Sequence, residues 1–176
     1  MTSTAIVFIT IVVFALMLGE LWLSRRNERR LRSQGAVEPG GDVYRTMAWA
    51  YPLCFALMAA EGVWRAPVPG AVAAAGVVVF AAGKALKYWA VATLGPRWSF
   101  RVLVIAGAPL VAHGPYAWMR HPNYAGVMGE VAGMALLAGA VVSGALSVAV
   151  FAWLLRRRIS VEEPALKRQP FTRSGR

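Results

Sequence analysis

Residues 6–23 contain one ionisable side chain, Glu20, and comparable apolar runs recur at 46–63, at 71–93 and between Tyr124 and Leu155. Roughly 18 such residues are enough to cross the hydrocarbon core of a bilayer. A chain built of several of them is expected to be integral to a membrane, where only helices or a closed barrel satisfy the backbone. The hydrophobic share of 58% and mean hydropathy of +0.53 agree with that reading.

The net charge of +11 raises nucleic acid as a partner, and its distribution argues against it. Six arginines fall between Ser24 and Arg45, and seven basic residues follow Leu155. The connection after the second apolar run has Arg65 alone, and the turn at 139–144 has no basic residue. Basic residues crowded into alternate connections are the positive-inside pattern, which places the rich segments in the cytoplasm. Cys54 lies alone in an apolar run, so no internal disulfide is possible and a packed or lipid-facing thiol is the simplest role.

These rules predict an all-α membrane bundle of about five transmembrane helices in a single domain covering 1–176, with spans at about 6–23, 46–63, 71–93, 123–138 and 144–157. The first run has no basic residue before it, unlike a cleavable signal, and is expected to enter from outside. The stretch from Tyr124 to Leu155 would make about 48 Å of helix, too long for one crossing of a roughly 30 Å core. Folded at Gly139 to Gly144, it becomes a hairpin. The amino terminus then lies outside and the carboxyl terminus inside the cytoplasmic membrane. Segments 94–122 and 156–176 are cytoplasmic, the first interrupted by Gly95, Pro96, Gly107, Pro109, Gly114 and Pro115.

The first of these segments ends in a polar, aromatic stretch at 114–124, where irregular backbone in so small a membrane protein implies binding. Pro122 suits a first helical position, and the amides that follow could hold a carboxylate or phosphate. Taken alone, His121-Pro122 reads first as a plain helix start that His121 caps, and Tyr116 and Tyr124 as ordinary interfacial aromatics. His113 and His121, eight residues apart with no acidic or thiol partner nearby, match no metal-ligand spacing, and no metal is expected. Asp42 is the chain's single aspartate, and no nucleophile triad or phosphate-binding glycine loop is present.

Charged side chains within apolar runs narrow the candidates further. Glu130 shares a helix face with Asn123, Gly126 and Leu137; it either lines a reaction cavity as a catalytic group or pairs with Lys84 or Lys87. Glu20 and Glu61 are read as interfacial. Arg158 and Glu162 share a face if the last helix continues past Leu155, an arrangement common as a simple helix stabiliser. Beside the 114–124 stretch, the same pair could hold a zwitterionic cofactor next to an anionic substrate.

The run Leu110-Val111-Ala112-His113-Gly114-Pro115-Tyr116-Ala117-Trp118-Met119-Arg120-His121-Pro122-Asn123-Tyr124-Ala125-Gly126, followed at a distance by Arg158, Glu162-Glu163 and Leu166, resembles the isoprenylcysteine carboxyl methyltransferase family. Trp98-Ser99-Phe100-Arg101 and Val161-Glu162-Glu163 resemble bacterial members in particular, some of which are associated with type III polyketide synthases and O-methylate long-chain pyrones or resorcinols. The resemblance implies an integral-membrane enzyme that uses S-adenosyl-L-methionine. It also implies that the backbone of Ala108, Pro109, Leu110 and Val111, with Tyr116, His121, Pro122, Asn123, Tyr124, Glu162 and Glu163, contacts that donor, and that Arg158 orients the acceptor. After Leu166 the chain departs from the family's acidic, tyrosine-rich continuation and ends in a short basic tail.

The expected reaction is O-methylation of a lipophilic, acidic acceptor entering from the bilayer, either an isoprenylcysteine-type carboxylate or a long-chain pyrone or resorcinol. An ionised acceptor needs no general base, and the sequence offers no obvious one. The partners are then membrane lipids and a lipophilic small molecule or prenylated substrate, with neither nucleic acid nor metal. A phospholipid or amine N-methyltransferase and a non-enzymatic membrane protein are the alternatives.

Overall fold

The computed structural model describes residues 1–167. The described residues form five α-helices: α1 Ser3–Ser33, α2 Tyr44–Arg65, α3 Gly70–Leu94, α4 Pro122–Ala138 and α5 Val142–Lys167. Two 3-10 turns, Gly95–Arg97 and Gly114–Ala117, punctuate the long segment between α3 and α4. No strand is present among the described residues, only an isolated antiparallel bridge between Val37 and Val104. The basic tail beyond residue 167 lies outside the described residues.

The sequence dictates these boundaries locally. Thr2 accepts from the Ala5 amide to start α1, and Gly35 with φ of 81° follows its end. Pro122 opens α4, and Gly139 closes it at φ 64°, which a β-carbon would disfavour. Two further residues lead into α5, whose exposed amide ends at Val142 and Ser143 are accepted by the Glu61 carboxylate at 3.0 and 2.7 Å. Glu61 therefore acts as a cap supplied by another helix. Both α1 and α5 run about ten residues past the apolar runs that define them, which carries their polar ends into the site region.

The tightest seam joins α3 to α4, and small residues make it. A β-carbon on Gly76 would lie 2.3 Å from the Leu137 amide nitrogen, and one on Gly83 would lie 2.8 Å from the Gly126 carbonyl oxygen and the Glu130 nitrogen. Backbones that close are the usual packing of helices in lipid, where apolar side chains gain nothing by leaving the hydrocarbon. Phe55, Met58, Val131, Met134, Leu137 and Phe151 fill the space between α2, α4 and α5.

Outside this core the surface is apolar. Phe8, Leu18 and Val78 are each 67% exposed, with Ile11, Leu146 and Trp153 also exposed. Contiguous apolar surface on this scale fits a lipid environment. Helix α1, and α3 continued to Arg97, are long and apolar enough to cross a membrane, and only 17% and 28% of their apolar windows are buried. The core helix of a water-soluble protein would be mostly buried instead.

Candidate active site

The polar extension of α1 is a scaffold for the irregular segment that follows α3. Asn27 donates to the carbonyls of Gly95 and Trp98 at 3.3 and 2.8 Å, and the Ser24 hydroxyl accepts from the Phe100 amide at 2.8 Å. Arg101 ion-pairs with Glu38 at 2.7 Å and stacks over the Tyr44 ring at 4.3 Å, while Arg32 holds Glu38 from the other side at 2.6 Å. Burial of Glu38 raises its pKa, but hydrogen bonds and charge from Arg101 and Arg32 prevail and hold it below the ordinary carboxylate value. This clamp fixes the segment from Trp98 to Val104 under the loop that links α1 to α2.

Against that platform, α4 and α5 bring their polar ends together. The Tyr124 hydroxyl, in the first turn of α4, donates to Glu162 of α5, and Arg158 Nε, one turn earlier on α5, donates to the Tyr124 oxygen at 2.8 Å. Arg158 also donates to the Phe100 carbonyl and lies 3.6 Å from Asp42. It is only 5% exposed, and although burial disfavours its charge, Tyr124, Asp42 and Glu162 more than compensate and raise its pKa. The guanidinium is therefore a fixed cation with chosen partners, not a surface charge. The direct Arg158–Glu162 pair that the four-residue spacing suggested is replaced by a relay through Tyr124.

His121 does not cap α4 with its side chain. Its ring stacks on Tyr124 at 5.2 Å between centroids with 9° between planes, and its nitrogens face Glu162 and Glu163 at 3.9 and 3.4 Å. Tyr116, held by the second 3-10 turn, stays a protonated phenol because burial pushes its pKa up.

These groups line one cavity of about 660 Å³. Its polar wall includes Ala108, Pro109, Leu110, Val111, Tyr116, His121, Asn123, Tyr124, Arg158, Glu162 and Glu163, so the structure brings nearly all the sequence candidates to one place. Pro122 is buried in the first turn of α4 and does not line it. Glu130 does not line it either: the carboxylate is fully buried and ion-pairs with Lys84 at 2.8 Å and Lys87 at 3.4 Å. The pairing alternative for Glu130 is thus the arrangement seen. From the polar end the cavity continues between α1 and α2, where Phe14, Met17, Leu18, Leu21, Met47 and Pro52 make it apolar.

The isoprenylcysteine carboxyl methyltransferase (ICMT) family matches residues 74–168, which contain the polar cavity residues from Ala108 to Glu163 but not the apolar wall contributed by α1 and α2. The chain belongs to the isoprenylcysteine carboxyl methyltransferase family. It is also 35% identical to the uncharacterized protein YpbQ of Bacillus subtilis (strain 168) over 149 residues, spanning 85% of this chain and 89% of YpbQ. No solved structure gives a significant match. Family membership and the two apolar helices together mark a membrane protein of the methyltransferase kind.

Some groups around Arg158 were missed in the sequence. Asp42, which supports Arg158 from behind the cavity wall, was visible only as the chain's single aspartate in a glycine-rich loop. The Phe100 carbonyl is a backbone group and has no signature in sequence. Glu20, read as interfacial, is 6% exposed and faces the cavity from α1.

The donor used across the family is S-adenosyl-L-methionine, and the site's chemistry fits it. Asn123 Oδ1 is buried without a hydrogen-bond partner among the described residues and lines the cavity, an acceptor suited to an amino or hydroxyl group. Glu162 offers a carboxylate to the same kind of donor, and the stacked rings of His121 and Tyr124 offer a π surface to a sulfonium.

Proposed function

We propose that the protein is an S-adenosyl-L-methionine-dependent integral-membrane methyltransferase that O-methylates a lipophilic acidic acceptor. The observation that carries this reading is one cavity with two characters. Tyr124, Glu162 and Arg158 stand at one end, and an apolar cleft between α1 and α2 leads away from them. A small-molecule enzyme working wholly in water has no use for the second half.

In this reading Glu162, Asn123, His121, Tyr116 and the backbone of 108–111 hold the donor. Bound there, S-adenosyl-L-methionine supplies a methyl group that an oxygen anion takes in a displacement at carbon, the carbon–sulfur electron pair staying with sulfur. Arg158 presents a fixed positive charge beside Tyr124 and so orients the anionic acceptor head. An acceptor that arrives ionised leaves no proton to remove. The apolar half of the cavity accommodates the acceptor's tail and keeps water from the reacting atoms. In this reading the five helices cross the membrane with the amino terminus outside and the site facing the cytoplasm, an orientation that the arginine distribution supports.

The test is incubation of membranes carrying the protein with methyl-labelled donor, followed by chemical sorting of the label. Label in an alkali-labile ester or a stable ether supports O-methylation. Label confined to an amine head group would replace this reading with N-methylation.

A further inference from the structure

Helices α1 and α3 are joined at two levels, and a cleft of about 390 Å³ opens beside them. At the first level Glu20 pairs with Lys84 and Lys87 at 3.1 and 2.5 Å, part of a buried ion cluster that Glu130 and Tyr51 complete. Further along α1, Asn27 donates to the Gly95 carbonyl just past the end of α3. Leu23, Arg26 and Arg30 line the cleft from α1, and Val91, Ala92 and Gly95 form its other wall. A β-carbon on Gly95 would meet no atom within 4 Å, so that wall leaves room. The cleft shares no lining residue with the 660 Å³ cavity.

Its two kinds of lining residue ask for an amphipathic occupant. Leu23, Val91 and Ala92 are apolar, whereas Arg26 and Arg30, one helical turn apart, are exposed cations. Neither arginine forms an ion pair among the described residues, because the neighbouring carboxylates are engaged elsewhere. Glu28 accepts from Ser24 and pairs with Arg101, and Glu38 is held by Arg32 and Arg101. Arg25 and Arg29 stand exposed on the same turns of α1 and add to the local positive charge. Trp22, one turn before Arg26 and 64% exposed, carries the Arg26 guanidinium over its ring at 5.7 Å from the centroid. A tryptophan exposed at the end of an apolar run is an anchor at headgroup depth, which sets Arg26 and Arg30 level with lipid phosphates. Basic pockets between membrane helices at that depth suit acidic lipid headgroups.

We propose that this cleft is a binding site for one anionic phospholipid, whose phosphodiester Arg26 and Arg30 grip while its glycerol backbone rests on Leu23, Val91 and Ala92. Two guanidiniums can each present paired donors to phosphate oxygens, a geometry that a lone ammonium lacks. A choline or ethanolamine headgroup would set its own cation among Arg25, Arg26, Arg29 and Arg30 with no free carboxylate to receive it, so the charge selects an acidic lipid. A free phosphate would leave the apolar wall uncovered. The inference needs α1 to lie in a membrane and is independent of the methyltransferase reading. Asn27 ties the cleft to the cavity's platform, since it lines the cleft and holds the Gly95 and Trp98 carbonyls together. An occupied cleft therefore braces the segment on which the site is mounted.

The experiment titrates the full chain in neutral detergent with dioleoylphosphatidylglycerol and, separately, with dioleoylphosphatidylcholine, reading the first bound lipid by native mass spectrometry. The expected affinity is at least about tenfold higher for the phosphatidylglycerol, with a melting temperature that rises as that lipid is added. Arg26→Gln/Arg30→Gln should lose at least about tenfold in affinity for it. Arg156→Gln/Arg157→Gln removes the same charge from exposed positions on α5 and should stay within about twofold. Ala92→Trp fills the cleft without altering charge and should weaken binding as much as the first pair does. Equal affinity for the two lipids, equal losses in the two arginine pairs, or undiminished binding by Ala92→Trp overturns the site. Displacement of the lipid by an equal concentration of glycerol 3-phosphate would mark a free-anion site and overturn the lipid assignment. Absence of methyl transfer bears on none of these readouts, so the two readings fail separately.

Discussion

The Tyr124 hydroxyl and the Glu162 carboxylate, 38 residues apart in the chain, share a hydrogen bond that joins the start of α4 to the last turns of α5. Because Arg158 donates to the same hydroxyl at 2.8 Å, one phenol connects the anion assigned to the donor with the cation assigned to the acceptor. Tyr124→Phe keeps the ring and its stacking on His121 but removes both bonds. Binding of S-adenosylhomocysteine, measured by calorimetry in detergent, is expected to weaken about tenfold, which at 1.4 kcal/mol matches the loss of a hydrogen bond to a charged group.

Glu162→Gln retains size and removes the charge. Its expected effect is also on donor affinity, a loss of at least about tenfold, with the protein still inserted in membranes. Unchanged affinity would remove Glu162 from the donor site.

Arg158 is predicted to act on turnover. Lysine cannot reproduce the fork that serves Tyr124, Phe100 and Asp42 together, so Arg158→Lys is not conservative here. Turnover should fall by about a hundredfold, in the range of a lost positioning or electrostatic contact, while S-adenosylhomocysteine affinity stays within about threefold.

The α3–α4 seam supplies a stability prediction. A β-carbon at Gly83 would press on the α4 backbone at 2.8 Å, and backbone cannot step aside as a flexible side chain can. Gly83→Val is expected to cost at least about 1–3 kcal/mol, read as a lowered melting temperature in detergent. At Gly19, where nothing lies within 4 Å, Ala should be tolerated.

The Glu38 clamp gives a pH dependence with a definite sign. Its carboxyl is held below the ordinary value of 4.5, so its contribution is present above that value and lost as pH falls through the lowered one. Protease sensitivity of the 34–43 loop should therefore rise on acidification below the ordinary carboxylate value, and Glu38→Gln should show that sensitivity already at neutral pH.

Much of the candidate site was legible because its residues sit in two compact motifs that the fold brings together. His121 to Tyr124 announces a helix start with aromatic and polar groups, and the four-residue spacing of Arg158 and Glu162 places both on one face of α5. What spacing could not supply was the intermediary, since Tyr124 reaches them only after α4 and α5 pack. The deep ion cluster was half visible: Lys84 and Lys87 stood out as partners for Glu130, but Glu20 and Tyr51 join across 64 to 79 residues of chain. Periodicity within one helix carries no such information. The glycine seam, by contrast, was there to read, with Gly76 and Gly83 seven residues apart facing Gly126, Gly129 and Gly133.

The most direct measurement is mass spectrometry of lipid extracts from host cells fed methyl-labelled methionine, with the intact chain, with Glu162→Gln and without the protein. The account predicts a lipophilic species heavier by one labelled methyl group on oxygen, present with the intact chain and lost in the other two. Identical lipid profiles in all three, from cells whose membranes contain the protein, would contradict it.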